Sequence, residues 1–262
     1  MIRNPLALRL DPNGPIREQI HEAARLGAKG IVVDAIGDLA PARLGDTGRR
    51  DLRHVLRTVE LTLAAVSLPT RRPFDTLDQL DERIRRADAA FAMAYELGTA
   101  VVLARVGSIP ASEDEAKLEV FTNAMRTLGH RAEHRGVRLA METGTDRGAD
   151  LKTFLDALDL RGLAVSIDPS SLLQAGIDPV TTTRQLGAWV QHAYAGDSSG
   201  LTKSSAPNPR GFGFRPGLLD WEEYVGAFEE IGYHSFLTIW PSPGRPAATD
   251  FKAVASRLNA IG

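Results

Sequence analysis

The sequence predicts an α/β protein built as a single (β/α)8 TIM barrel spanning residues 1–262. Two observations carry that prediction. Eight short apolar runs recur along the chain, and helical patterns with recognisable ends separate them. Near-continuous Val, Ile, Leu and Ala runs are the mark of strands covered on both faces, as in parallel sheets. Eight such runs average roughly 33 residues per unit, close to the βα repeat of an eight-fold barrel. A doubly wound open sheet is the competing fold, but its first turn should be glycine-rich. The first turn here reads LDPNGPIREQI, without a phosphate-binding fingerprint.

In order, the predicted strands are LALRL (6–10), GIVVDA (30–35), LTLAAVSLP (61–69) and AVVLARVG (100–107). They continue with VRLAMETG (137–144), LAVSIDPS (163–170), WVQHAYAGD (189–197) and FLTIWP (236–241). Between them, Asp75 is expected to cap a helix beginning DTLDQL, and Ser112 with Glu115 to form a capping box. Asp178 before Pro179, and Asp220 with Glu223, are two further helix starts. Gly27, Gly98, Gly136 and Gly232 stand just before strands and are expected to end helices in the left-handed conformation.

Composition excludes several function classes. With no cysteine, the chain has no disulfide, thiolate metal site or thiol nucleophile. Its formal net charge of −2 supplies no basic field for nucleic acid or anionic membranes. No run approaches a bilayer span, and the apolar stretch near the N-terminus is too short for a signal peptide, so a cytoplasmic protein is expected.

Barrel chemistry sits at the C-terminal ends of the strands. That rule selects Asp34, Thr70 with Arg71 and Arg72, Arg105, Glu142, Asp168, the His192–Asp197 segment and Trp240. Strand alternation groups Glu142 with Ala140, Asp168 with Ser166, His192 with Tyr194, and Trp240 with Thr238. Glu142 and Asp168 end neighbouring strands, so two carboxylates meet at the mouth. Such a pair either holds a divalent cation or divides acid and base roles; alternatively each caps a loop or pairs with an arginine. His192 is a candidate base if its ring reaches the mouth, or a hydrogen-bonded histidine of the barrel interior if it does not. Trp240 reads as a stacking wall for a sugar or as a plug. Arg71, Arg72, Arg105, Lys203, Arg210 and Arg215 form a cationic rim suited to a phosphate or carboxylate ligand.

The ordered segments LAMETG, SIDPSSLL, HAYAGD and RPGLLDWEEYVGAFEEIGYHSFLTI resemble the xylose isomerase-like TIM barrels. This is the sugar phosphate isomerase/epimerase group, which also includes relatives of endonuclease IV. The resemblance implies a divalent metal, Mn, Mg or Zn, held by Glu, Asp, His and Glu at strands five to eight. Glu142 and Asp168 match the first two ligands. Tyr194 falls on the family histidine and Trp240 on the final glutamate, while Asp197 is retained and Ser171 stands where a further His is common. Glu142 is the implied catalytic residue, and His192 is the candidate to compensate for the departed positions. Arg105, Tyr194, Asp197, Arg215 and Trp240 would bind substrate, and Glu142 with Asp168 would hold a metal weakly or not at all. The implied activity is proton transfer next to a carbonyl on a small sugar, sugar acid or sugar phosphate. A non-catalytic small-molecule-binding barrel is the alternative, and a homo-oligomer is compatible with either. An endonuclease-like activity fits poorly, because no His stands at the matching tips.

Overall fold

The computed structural model describes residues 4–196, 219–242 and 244–261. Eight parallel strands close into a barrel in sequential order, as the run count predicts. They are β1 (Leu6–Arg9), β2 (Gly30–Asp34), β3 (Thr62–Leu68), β4 (Val101–Ala104), β5 (Arg138–Glu142), β6 (Leu163–Ile167), β7 (Val190–Tyr194) and β8 (Leu237–Ile239). Each lies inside its predicted run. Pairing of Leu6 with Leu237, Ala7 with Thr238 and Leu8 with Ile239 joins the first strand to the last.

Alternation divides the side chains into two apolar compartments. One set, including Leu8, Ile31, Val33, Val66, Val102, Met141 and Ile167, packs outward against the helices in the main core. The other, including Ala7, Val32, Ala65, Leu103, Ala140, Ala164 and Tyr194, fills the barrel interior. Small residues low in the barrel leave its upper layers to polar side chains.

Among the described residues the helices are α1 (Ile16–Leu26), α2 (Asp46–Thr58), α3 (Leu80–Leu97), α4 (Glu115–His134), α5 (Gly148–Leu158), α6 (Pro169–Gln174), α7 (Pro179–Leu186), α8 (Trp221–Glu230) and α9 (Ala247–Asn259). None is long and apolar enough to cross a membrane. Asp178 and Asp220 cap α7 and α8 as expected. Two other starts differ from the sequence expectation. Gln79 takes φ 52°, which a right-handed helix cannot continue through, so α3 begins at Leu80 and Asp75 caps nothing. For α4 the cap is Asp114, whose carboxylate accepts from the Lys117 amide, rather than Ser112.

Gly162, entering β6, lies against α4 so closely that a Cβ would fall on the carbonyl oxygen of Gly129. Because backbone faces backbone, no side-chain rotation relieves the overlap. Gly162→Ala is therefore expected to cost more than about 2 kcal/mol, read as a lower midpoint in urea denaturation with an unchanged slope.

Candidate active site

Strand register assembles the mouth. Ala104 pairs with Met141, so Arg105, one residue on, arrives beside Glu142. Glu142 pairs with Ser166, Ser166 with His192, and Tyr194 with Thr238. On the opposite wall Leu8 pairs with Ile239, which brings Arg9 next to Trp240. Asp34 pairs with Ser67.

At the centre lies Arg9, which the reading of strand tips did not select. It is 6% exposed and sits two residues above Ala7 on the inward face. Its Nε and Nη2 lie 3.1 and 2.9 Å from Asp34 Oδ1. Nη2 also donates to Ser67 Oγ at 2.8 Å, and Nη1 donates to the Tyr194 hydroxyl at 2.6 Å. The guanidinium carbon stands 3.7 Å from the centre of the Trp240 ring. Burial works against the Arg9 charge, but Tyr194, Asp34 and Glu142 outweigh it and leave the pKa raised. A cation embedded at the end of an otherwise apolar strand was the available sequence signal. Buried arginines almost always have acidic partners waiting.

Tyr194 passes the contact on by donating to Glu142 Oε1 at 2.7 Å. Burial and then the Glu142 charge push the phenol pKa well above its ordinary value, so the hydroxyl stays protonated. Glu142 Oε1 is 3.6 Å from Arg9 Nη1, and Oε2 is 3.3 Å from Arg105 Nε. Arg105 Nη2 in turn lies 3.7 Å from Asp168 Oδ2. The predicted carboxylate pair is thus brought together across an arginine. Asp168 also caps α6: Oδ1 accepts from the Ser170 and Ser171 amides, and Oδ2 accepts from the Ser171 hydroxyl at 2.6 Å.

His192 lies below the mouth, 2% exposed, with Nδ1 2.8 Å from Ser166 Oγ and Nε2 2.8 Å from Thr238 Oγ1. Both nitrogens are occupied, and burial followed by the Arg9 charge lowers its pKa to about 3. The imidazole is neutral and does not reach the mouth. Trp240 is 47% exposed, with its ring also 5.5 Å from that of Tyr194. Asp197, Lys203, Arg210 and Arg215 lie outside the described residues.

Beside Glu142 opens a cavity of about 360 Å3, lined by Arg105, Ser108, Glu142, Thr143, Thr145 and Ser171. Its rim is a clasp between two loops. The Ser108 and Thr145 hydroxyls meet at 2.5 Å, and Asp146 accepts from the Ile109 amide at 3.1 Å. Burial raises the Asp146 pKa to about 6.

These two shifts have opposite consequences for stability. His192 binds a proton less readily in the fold, so its contribution is complete above about pH 6.5 and is lost toward pH 3, at about 1.4 kcal/mol per unit. Asp146 holds its proton more tightly in the fold, so its contribution is present below about pH 3.8 and is lost as pH rises through 6. Between pH 7 and 5 the two partly cancel. Asp146→Asn removes the opposing contribution, so urea denaturation should show a larger loss on acidification in the variant than in the wild type.

The described residues of the mouth do not fit a divalent metal. Among the described residues no group of three or more His, Asp or Glu side chains could hold one. A dication on Glu142 would approach Arg9 Nη1, 3.6 Å from the same oxygen. Repulsion between charges of +2 and +1 at 4 Å is roughly 8 kcal/mol at an effective dielectric constant of about 20.

The family model for the xylose isomerase-like TIM barrel matches residues 20–261. The chain belongs to that family. Among solved structures, a xylose isomerase domain protein from Planctomyces limnophilus has a TM-score of 0.81 at 16% identity, covering 98% of this chain and 96% of that one. D-psicose 3-epimerase from Clostridium cellulolyticum H10, solved with D-tagatose, has 0.76 at 14%, covering 98% and 99%. A xylose isomerase-like TIM barrel protein from Mycobacterium smegmatis in complex with magnesium has 0.70 at 16%, covering 98% of both chains. No curated protein matches the chain. At these identities the structural likeness establishes the fold alone.

Proposed function

We propose that this xylose isomerase-like barrel is a sugar isomerase/epimerase-like enzyme that moves a proton at the carbon next to a carbonyl, with Glu142 as the base. The observation that carries this reading is the state of Glu142 at the cavity wall. Tyr194 fixes Oε1, while Oε2 is turned toward Arg105, whose side chain is 58% exposed. A small polyol, sugar acid or sugar phosphate suits the cavity volume and its hydroxyl-bearing lining. Oε2 removes the proton from carbon, and Arg105 balances the negative charge that develops on the former carbonyl oxygen.

Among the described residues a single base faces the cavity, and that restricts the outcome. Trp240 can neither accept a proton nor ligate, and both Asp168 oxygens are engaged. Inversion at one carbon needs a second group on the opposite face. Transfer between adjacent carbons on one face needs only Glu142, which takes the proton, exchanges it with solvent and delivers a proton one carbon along, while the hydroxyl proton passes to the former carbonyl oxygen. Isomerisation through an enediol is therefore favoured over epimerisation.

The test is a set of small aldoses, ketoses, their phosphates and sugar acids incubated in D2O, with carbon-bound deuterium read by NMR. Incorporation at the carbon beside the carbonyl is expected, and Arg105→Met should raise KM for anionic members of the set by about tenfold or more. No incorporation with any compound that binds would favour a non-catalytic small-molecule-binding barrel. The observation on that side is the hydrogen-bonded network that Arg9 makes with Asp34, Ser67 and Tyr194 beneath Trp240.

A further inference from the structure

We propose that Arg9 is the permanent cation of this mouth, standing where a divalent ion would need the same carboxylates, so that the protein binds no metal there. A guanidinium carries five N–H donors in one plane and has no acceptor. In Arg9 they are spent on Asp34, Ser67 and Tyr194, with Nη1 also facing Glu142, and Trp240 lies against one face of the plane. The charge is fixed, because guanidinium does not deprotonate at any pH the fold survives.

The two departures from the family's ligand pattern then have one cause. Tyr194 accepts from Arg9 and donates to Glu142, which a metal-bound histidine could not do. Trp240 supplies an aromatic face to the same guanidinium, where a glutamate would bring a third carboxylate. Arg9 is thus a positioning residue: it reaches Glu142 through Tyr194 and balances its charge, and it does not touch the cavity beside Glu142.

The readout is metal binding, so it stands or falls separately from the assignment of Glu142 as base. Wild-type protein, dialysed against chelator, is titrated with Mn2+ and followed by the EPR signal of free ion and by thermal unfolding. The expected result is no stoichiometric uptake and no shift in Tm. Arg9→Ser, which removes the cation that reaches both Asp34 and Glu142, should take up one Mn2+ per chain and gain Tm with it. Arg9→Ser combined with Glu142→Gln should lose that response. Arg9→Gln, which removes charge while keeping a hydrogen-bonding side chain, serves if the serine variant does not fold. Stoichiometric Mn2+ on the wild type that Glu142→Gln abolishes would overturn the proposal. So would a folded Arg9→Ser or Arg9→Gln protein that ignores Mn2+, since Arg9 would then not occupy a cation position.

Discussion

Replacing Glu142 with Gln is expected to lower turnover about 10²- to 10⁴-fold, the range a positioned general base contributes. The amide is nearly the same size and its oxygen can still accept from Tyr194, now 2.7 Å from Oε1. Packing and substrate affinity should therefore change little, while the proton acceptor is lost. The loss belongs in kcat and should be accompanied by disappearance of deuterium exchange at carbon. Thermal unfolding supplies the control, because Arg9 retains Asp34 as an ionic partner. Turnover within a factor of a few of wild type would remove Glu142 from the mechanism.

Arg9→Met should destabilise the fold by about 3–5 kcal/mol, the usual cost of removing one member of a buried ion pair. In a chain of this length each kcal/mol moves Tm by about 2–4 °C, so a fall of about 6–20 °C is expected. The cost arises from what remains: Asp34 and Glu142 keep their burial and lose the charge between them. A second substitution, Asp34→Asn, made on the Arg9→Met background should therefore cost much less than Asp34→Asn made alone. Arg184 offers the comparison. It bridges Glu223 at 2.9 Å and Glu230 at 2.7 Å on an exposed surface, where solvent screens the pair, so Arg184→Ala should leave Tm almost unmoved. Equal effects at the two arginines would mean that burial does not govern the Arg9 cluster.

Much of this architecture could be read along the chain because it depends on local period. Eight apolar runs gave eight strands, and glycines at positions such as 27 and 98 took the left-handed φ of 87° and 88° that ends a helix. The helix starts read less reliably. Aspartates compete for cap positions, and Asp114 displaced Ser112 through geometry that spacing does not reveal. Parity was also legible: Ser166, His192 and Thr238 do form one inward, hydrogen-bonded layer.

By itself the sequence determined the barrel and the mouth at which Glu142, Asp168, Tyr194 and Trp240 converge. Those follow from strand period and residue type, which each segment carries alone. Only the tertiary structure decided that Arg9 stands at the centre of that mouth. Arg9 lies 133 residues before Glu142 and 185 before Tyr194, and closure of β1 on β8 brings all three within hydrogen-bonding or ionic distance. Periodicity says which way a side chain faces, but not which charge waits across the barrel. That depends on strand register around a closed sheet, and on the strong penalty that forces a buried guanidinium to find its carboxylates.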